Sequence, residues 1–273
     1  MHNFKSFLIV FCLLITACMS AQTLPDYETR LAQLFNTIKL ADNDSVRLNC
    51  NDSVKQVLSN ALNVSESFVY PFDSLVYVGK VTSDDQLLRV YTWNIVTDSG
   101  LVFNGFLQSS LGVITPLKQA EKGYKPTINE QISTQNWYGA LYYRIVAYKY
   151  KRQKVYLLVG WSQCAQQTQY KVLDVLSFDA SGVAQLGLPI LFDDEKKITY
   201  RSVFEYDIDA VMFLDYNSSR KRFIFDHLSP MKFFENDIVT LGPDMSFDAY
   251  VRKSKGWFLK EDLRVKNSRT NMK

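Results

Sequence analysis

WYGALYYRIVAYKYKRQKVYLLVGWSQCAQQTQYKVLDVLSF, residues Trp137 to Phe178, reads as three consecutive strands of one antiparallel sheet, and the chain is arranged around it. Leu141–Tyr150 is rich in Tyr, Ile and Val, side chains that fit a pleated surface. The charged run Lys151-Arg152-Gln153-Lys154 gives a short polar turn before Val155–Trp161 resumes apolar, which is a hairpin pattern. Val155–Trp161 has no polar side on either parity and is too short for an independent helix. It is therefore expected as a central strand covered on both faces. After a polar loop around Gln163–Gln169, Tyr170, Val172, Asp174, Leu176 and Phe178 alternate with Lys171, Leu173, Val175 and Ser177. Asp179-Ala180-Ser181-Gly182 then supplies turn chemistry.

Working outward, the period of two begins near Phe68. Strands are read at Ser74–Thr82, Leu87–Ile95, Leu101–Gln108 and Val113–Leu117, with Asp84-Asp85 and Asp98-Ser99-Gly100 as tight turns. Lys118–Asn136 is polar, holds Gly123 and Pro126, and reads as the longest surface connection. Beyond it, strands are expected at Ile198–Tyr206, Ala210–Tyr216, Arg222–Asp226, Ile238–Leu241, Phe247–Arg252 and Gly256–Leu259. Before the strands, Asp26 is read as a cap for a helix carrying Leu31, Leu34, Phe35 and Ile38, and Ser53–Leu62 as a second helix with Val54, Leu58 and Ala61 on one side. The pattern describes a mainly β protein: an antiparallel meander forming a sandwich or barrel-like domain, with two short N-terminal helices packed on it. The organisation expected is 1–21 signal peptide (1–17 if a lipoprotein), 22–66 helical lead and 67–273 β-rich domain.

The chain has 273 residues, 47% hydrophobic and 22% charged, which is globular composition. Net charge is +3 with Lys and Arg scattered, so there is no basic stripe to track phosphates and nucleic acid is disfavoured as a partner. Lys5 precedes the apolar run Phe7–Ile15, too short to span a bilayer and suited to a signal-peptide core. Two processing sites compete. Ile15-Thr16-Ala17-Cys18 resembles a lipobox, which would make Cys18 the lipidated N-terminus and the only membrane attachment; the alternative is cleavage after Ala21. Either places the protein in the periplasm, on the outer membrane or outside the cell, where a Cys50–Cys164 disulfide would be permitted.

Chemistry-bearing residues are few. Past the leader the sole histidine is His227, expected at a strand end before a Ser229-Pro230 turn, which rules out zinc sites built on two or three His. Gly160-Trp161-Ser162-Gln163-Cys164 departs from the GxSxG elbow, with Cys164 in place of the last Gly and no helix pattern after it. Two carboxylates at suitable separation would suffice for glycoside cleavage, and Asp174, Glu205 and Asp226 are the candidates, with Asp207 and Asp209 nearby. Asp174 lies among Val172, Leu173, Val175 and Leu176, so it must be paired, hydrogen-bonded or shifted in pKa. The competing reading of these carboxylates is ion pairing with Arg144, Arg201 or Arg222. Acidic turns at Asp42–Asp44 and Asp193–Glu195 lack calcium-loop spacing, and no metal or cofactor is assigned.

Gly160-Trp161, then KVLDVLSFD, LGLPILF, VFEYDIDAVMFLDY, IFDHLSP and LGPDMSFDAYV with GWFLKEDLRV, together resemble a family of uncharacterised exported β-rich proteins from Gram-negative envelopes, over roughly Leu87 to Val265. The resemblance implies secretion and a β-rich fold and carries no activity. It also implies small polar residues at the positions of Asp207–Ala210, which weighs against an acidic active site there. The function expected is a non-catalytic binding or accessory protein using an exposed surface of Trp93, Trp137, Tyr138 and Trp161 toward an unknown ligand or envelope protein. The alternatives are a carboxylate-dependent glycan hydrolase and a structural subunit of an envelope assembly, the latter marked by an uncovered strand edge.

Overall fold

A computed structural model describes residues 22–120, 124–232 and 239–263; the segment expected to be a signal peptide, with Cys18, lies outside the described residues. The chain opens with α1 (Leu24–Leu40) and α2 (Asp44–Leu62). Thr23, not Asp26, caps α1: Asp26 stands in the first turn and accepts from the Thr23 backbone N–H (3.0 Å) and hydroxyl (2.6 Å). The Asn43 side chain accepts from the Val46 N–H at 3.0 Å, so α2 begins well before the expected Ser53. Its first turns are polar and their apolar residues, Val46 and Leu48, are exposed, which hid them from a search for an apolar stripe.

Strands β1 (Gly79–Thr82), β2 (Leu88–Thr97), β3 (Gly100–Ser109) and β4 (Ile114–Lys118) form a first sheet in sequence order. Tyr91, Trp93, Ile95 and Phe106 pack under Leu31, Phe35, Val54 and Leu58 of the helices. Leu88, Val90, Phe103 and Leu107, on the opposite parity, face a second sheet. That sheet contains β5 (Ile132–Ser133), β6 (Leu141–Tyr150), β7 (Gln153–Ser162), β8 (Thr168–Phe178) and β9 (Ala184–Leu186), in the order β5-β9-β8-β7-β6. The remaining chain supplies β10 (Leu191–Phe192), β11 (Ile198–Thr199), β12 (Ser202–Asp207), β13 (Leu214–Asn217), β14 (Arg222–Lys232), β15 (Val239–Lys253) and β16 (Gly256–Lys260). β12 joins the second sheet on the edge of β8, and the others form a third sheet, β11-β10-β16-β15-β14-β13.

The molecule is therefore stacked as helices, sheet, sheet, sheet. Tyr156, Leu158, Val172 and Leu176 of the second sheet meet the first, while Val155, Leu157, Val159, Leu173 and Val175 meet Phe223, Phe225, Tyr250 and Trp257 of the third. Val155–Val159 is buried on both parities, as its composition requires, and β7 lies between β6 and β8. The arrangement is sandwich-like, and among the described residues no sheet closes into a barrel.

Two departures from a simple meander have physical causes. β10 runs parallel to β16, so the third sheet is mixed. β14 continues through Ser229-Pro230 to Lys232 instead of turning there, and β15 joins the two strands expected at Ile238–Leu241 and Phe247–Arg252. β13 pairs only with Arg222–Phe225, so Pro230 sits where β14 has a single neighbour and its missing N–H leaves no ladder bond unmade. The register shifts between Asp226 and Leu228, where Asp244–Ser246 of β15 stand opposite the half-buried His227.

Burial on both sides makes a direct test. Leu157→Ala and Leu158→Ala point to opposite faces of β7, and each is expected to cost about 2–5 kcal/mol in urea unfolding. A strand open to water on one side would show one of the two as nearly neutral.

Candidate functional site

The first candidate, Asp174, is locked in the core. One carboxylate oxygen accepts from the Tyr138 hydroxyl (2.8 Å) and Arg201 Nε (3.1 Å), and the other from the Val175 N–H (2.7 Å). Both charged side chains are wholly buried. Arg201 also donates to the carbonyls of Glu130 and Leu186, each at 3.0 Å, and to that of Thr127. Burial alone would depress the guanidinium, but the charge and hydrogen bond of Asp174 together with the nearby Tyr138 and Tyr142 outweigh it and hold Arg201 above its ordinary value. Tyr138 is pushed well above its ordinary value by burial, with Asp174 adding to the shift. Its hydroxyl lies 3.0 Å from that of Tyr142, which in turn accepts from the Trp137 indole N–H at 3.2 Å. This is a satisfied structural network with no room for a substrate.

The other carboxylates are occupied separately. Glu205 pairs with Lys125 and accepts from the hydroxyls of Thr168 (2.8 Å) and Tyr170 (3.2 Å). Burial pushes it up, and these donors more than offset that, leaving it below the ordinary carboxylate range. Asp226 accepts from the Phe213 N–H at 2.7 Å, and Asp207 from the Thr240 hydroxyl (2.8 Å) and Asp209 N–H (2.9 Å). Arg144 makes a two-point pair with Asp215 at 2.7 and 2.8 Å. Asp174, Glu205 and Asp226 thus each have their own partners, which favours the ion-pair and hydrogen-bond reading over a shared acid–base site.

His227 Nδ1 lies 2.8 Å from Asp248, which raises the imidazole above its ordinary value. The adjacent hydroxyls of Ser229 (2.6 Å) and Ser246 (2.7 Å) donate to Asp244, so neither is aligned as a nucleophile on His227. The expected aromatic surface is corrected: Trp93, Trp137 and Tyr138 are core residues at 0–1% exposure. Trp161 is half-buried and donates its indole N–H to Gln169 at 2.7 Å. Cys50 lies on α2, half-buried, and Cys164 is exposed in the β7–β8 loop; both are free thiols, so the structure contains no bridge between them. Among the described residues no three His, Cys, Asp or Glu side chains come together as metal ligands. No described helix is long and apolar enough to cross a membrane.

The opening of consequence is a cleft of about 910 Å³ at the end of the first sheet. β3 pairs with β2 along its whole length but with β4 only from Asn104 to Gln108. Past Lys118 the chain swings off to pair with the Thr134–Trp137 segment: Lys118 N–H donates to the Thr134 carbonyl (2.8 Å), and Trp137 N–H to that of Lys118 (3.0 Å). β3 and this segment diverge like a fork, with the Gln119 carboxamide in its crotch. Gln119 Oε1 accepts from the Phe103 N–H at 2.7 Å and its Nε2 donates to the Tyr138 carbonyl at 3.4 Å. Gly139, at φ +90°, lets the chain pass this close; a Cβ there would stand 2.7 Å from the Phe103 ring.

Lys55 of α2 and the loop Gln163–Gln166 supply facing walls, with Gln135 and Lys118 beside them. This site was not legible in the sequence, since its walls are neither a row of exposed aromatic rings nor a pair of converging carboxylates. The available signal was four glutamines at positions 163, 166, 167 and 169, a concentration of carboxamides in one loop. Comparisons with family models, with curated proteins and with solved structures find no match to the chain.

Two measurements test these assignments. Asp174→Asn leaves Arg201 buried without its counter-charge and is expected to cost about 3–5 kcal/mol in urea unfolding; Asp174→Leu combined with Arg201→Met removes the lone charge but also the donor to three buried carbonyls, and is expected to recover only part of that loss. For His227, the folded pKa is raised, so its stabilising contribution is complete below the ordinary value of 6.5 and is lost as pH rises through the folded pKa. Asp248→Asn is expected to lower the imidazole midpoint in an NMR titration and flatten that part of the stability profile; an unchanged midpoint refutes the pairing.

Proposed function

We propose that this is an exported, non-catalytic binding or accessory protein of the bacterial envelope or its surroundings, and that the forked cleft holds its ligand. The observation carrying the reading is the contrast between the two kinds of polar group. The candidate carboxylates are committed to separate partners, whereas the cleft presents the carboxamides of Gln135 and Gln166 to an open volume within the range of ligand sites, beside a Gln163 whose amide donates to the Ala165 carbonyl at 3.1 Å. Carboxamides donate and accept hydrogen bonds without titrating, which suits recognition more than proton transfer. The apolar run Phe7–Ile15 with its two cleavage patterns supports export, as does the resemblance to exported envelope proteins.

Hydrogen exchange on the chain beginning at Gln22, with and without soluble envelope extract, tests the site. Protection is expected at Gly100–Phe103, Lys118–Ala120 and Gln163–Gln166, weakened at least tenfold in extract titrations of Gln166→Arg. Protection confined to other surfaces rejects the cleft. Export is tested by expressing the full chain in a Gram-negative host with a labelled fatty acid. The expected product is shortened and outside the cytoplasm, labelled at Cys18 or beginning at Gln22; full-length chain kept in the cytoplasm rejects export.

A further inference from the structure

We infer that the cleft takes an extended peptide, which adds to the first sheet as a strand along Gly100–Phe103 of β3; the inference rests on the binding reading above. Within one residue of a strand, N–H and C=O point to the same side, and the side alternates along the chain. Ser109 N–H donates to Val113 and Phe103 N–H to Gln119, so the odd-numbered residues of β3 direct these groups away from β2. The N–H and C=O of Leu101 and the C=O of Phe103 therefore face the cleft, with no partner among the described residues. They form a donor and acceptors at strand spacing, the complement of another strand. Gln119 already places a side-chain amide where the next peptide unit of β4 would have been. An added strand would carry the β3–β4 ladder on over four residues, about 13 Å.

The surroundings define the peptide. Leu101 and Phe103 belong to the face turned toward the second sheet, and Val102 to the helical face. A residue set opposite Leu101 meets apolar surface beside the Gln163–Gln166 loop, and its neighbours point toward Lys55. The lining carries Lys118 against Asp98, and Lys55 is paired with Asp52 at 2.6 Å, so the charges balance and a neutral segment fits better than a basic one. A glycan is disfavoured because sugars stack on exposed ring faces, and the lining aromatics, Phe103 and Phe106, are buried. The occupant is thus a segment of another protein, extended, apolar at alternate positions and not basic.

A phage-displayed library of random linear octapeptides, selected on the chain beginning at Gln22, tests this. Selected sequences are expected to alternate, and a synthetic copy should lose at least tenfold in affinity when N-methylated on amides of one parity and little on the other. Leu101→Pro removes the outward N–H while sparing the β2 ladder, and is expected to cost at least tenfold. Should that variant fail to fold, the N-methyl series on the unaltered chain decides alone. Binding indifferent to methylation of either parity overturns the inference. So does a dimer whose formation Leu101→Pro abolishes, which would give the edge to a second copy. A glycan from an arrayed set that protects Gly100–Phe103 from exchange overturns the peptide and keeps the cleft. If neither peptides nor glycans protect the cleft, the peptide falls, and extract that also leaves Gly100–Phe103 unprotected takes the binding reading with it.

Discussion

Asp174 and Arg201 form an ion pair whose two side chains are both wholly buried, and it ties the path of the chain to the central sheet. Burying two opposite charges costs several kcal/mol per ion even after relaxation, so the pair persists only because its remaining hydrogen-bonding capacity is filled. Tyr138 and the Val175 N–H complete Asp174; the carbonyls of Thr127, Glu130 and Leu186 complete Arg201. Three carbonyls from two separate segments on one guanidinium amount to a clasp. It fixes the long connection between β4 and β6 against β9, and Gly187 leaves room for it, since a Cβ there would come within 2.6 Å of Arg201. The same polar cluster reaches Trp137 through Tyr142, and Trp137 pairs with Lys118 and Ala120 where β4 leaves β3. The fork is thus positioned by a charge pair on another sheet.

Much of this stack could be read from residue alternation. Val155–Trp161 announced a strand covered on both sides, because neither parity offers water a polar face. Alternation says that a face is covered and leaves open by what. Tyr91, Trp93 and Ile95 could have packed on a sheet, yet the helices cover them; Leu157 and Val159 are covered by a third sheet where a pair of sheets was expected. Trp93, Trp137 and Tyr138 were read as a binding surface for the same reason. Each instead found a buried partner for its polar atom: Asn51 for Trp93, Tyr142 for Trp137, Asp174 for Tyr138. Asn51 lies in the polar first half of α2 that the apolar stripe did not reveal, so the missed helix start and the misplaced tryptophan share one cause.

The cleft was illegible for a different reason. An open strand edge arises from where a neighbour departs, and that is a tertiary event: Gly100–Phe103 reads like any hairpin arm. Only the carboxamide cluster near Gln163 had a local signature, and carboxamides are common in loops. Gly139 could be seen as a glycine but not as the point where the chain must cross within contact of Phe103.

An exposed strand edge is a hazard, since it templates pairing with any extended chain, and the fold treats its edges unequally. β4 carries Pro116, whose ring removes a donor from the outer side, and β11 has two residues. β13 is short, with four residues. β3 is a ten-residue strand, yet its uncovered part is limited to Gly100–Phe103 and recessed between α2 and the β7–β8 loop. Gln119 occupies one of its donors. Recession and shortness restrict access to a chain thin enough to enter, and they leave the peptide groups of Leu101 available once it does. An edge that served no purpose could have been closed by letting β4 run on for four more residues; the Trp137 segment, held by the Tyr142–Tyr138–Asp174 cluster, draws it away. The same buried charge pair that stabilises the centre of the molecule therefore keeps this edge open.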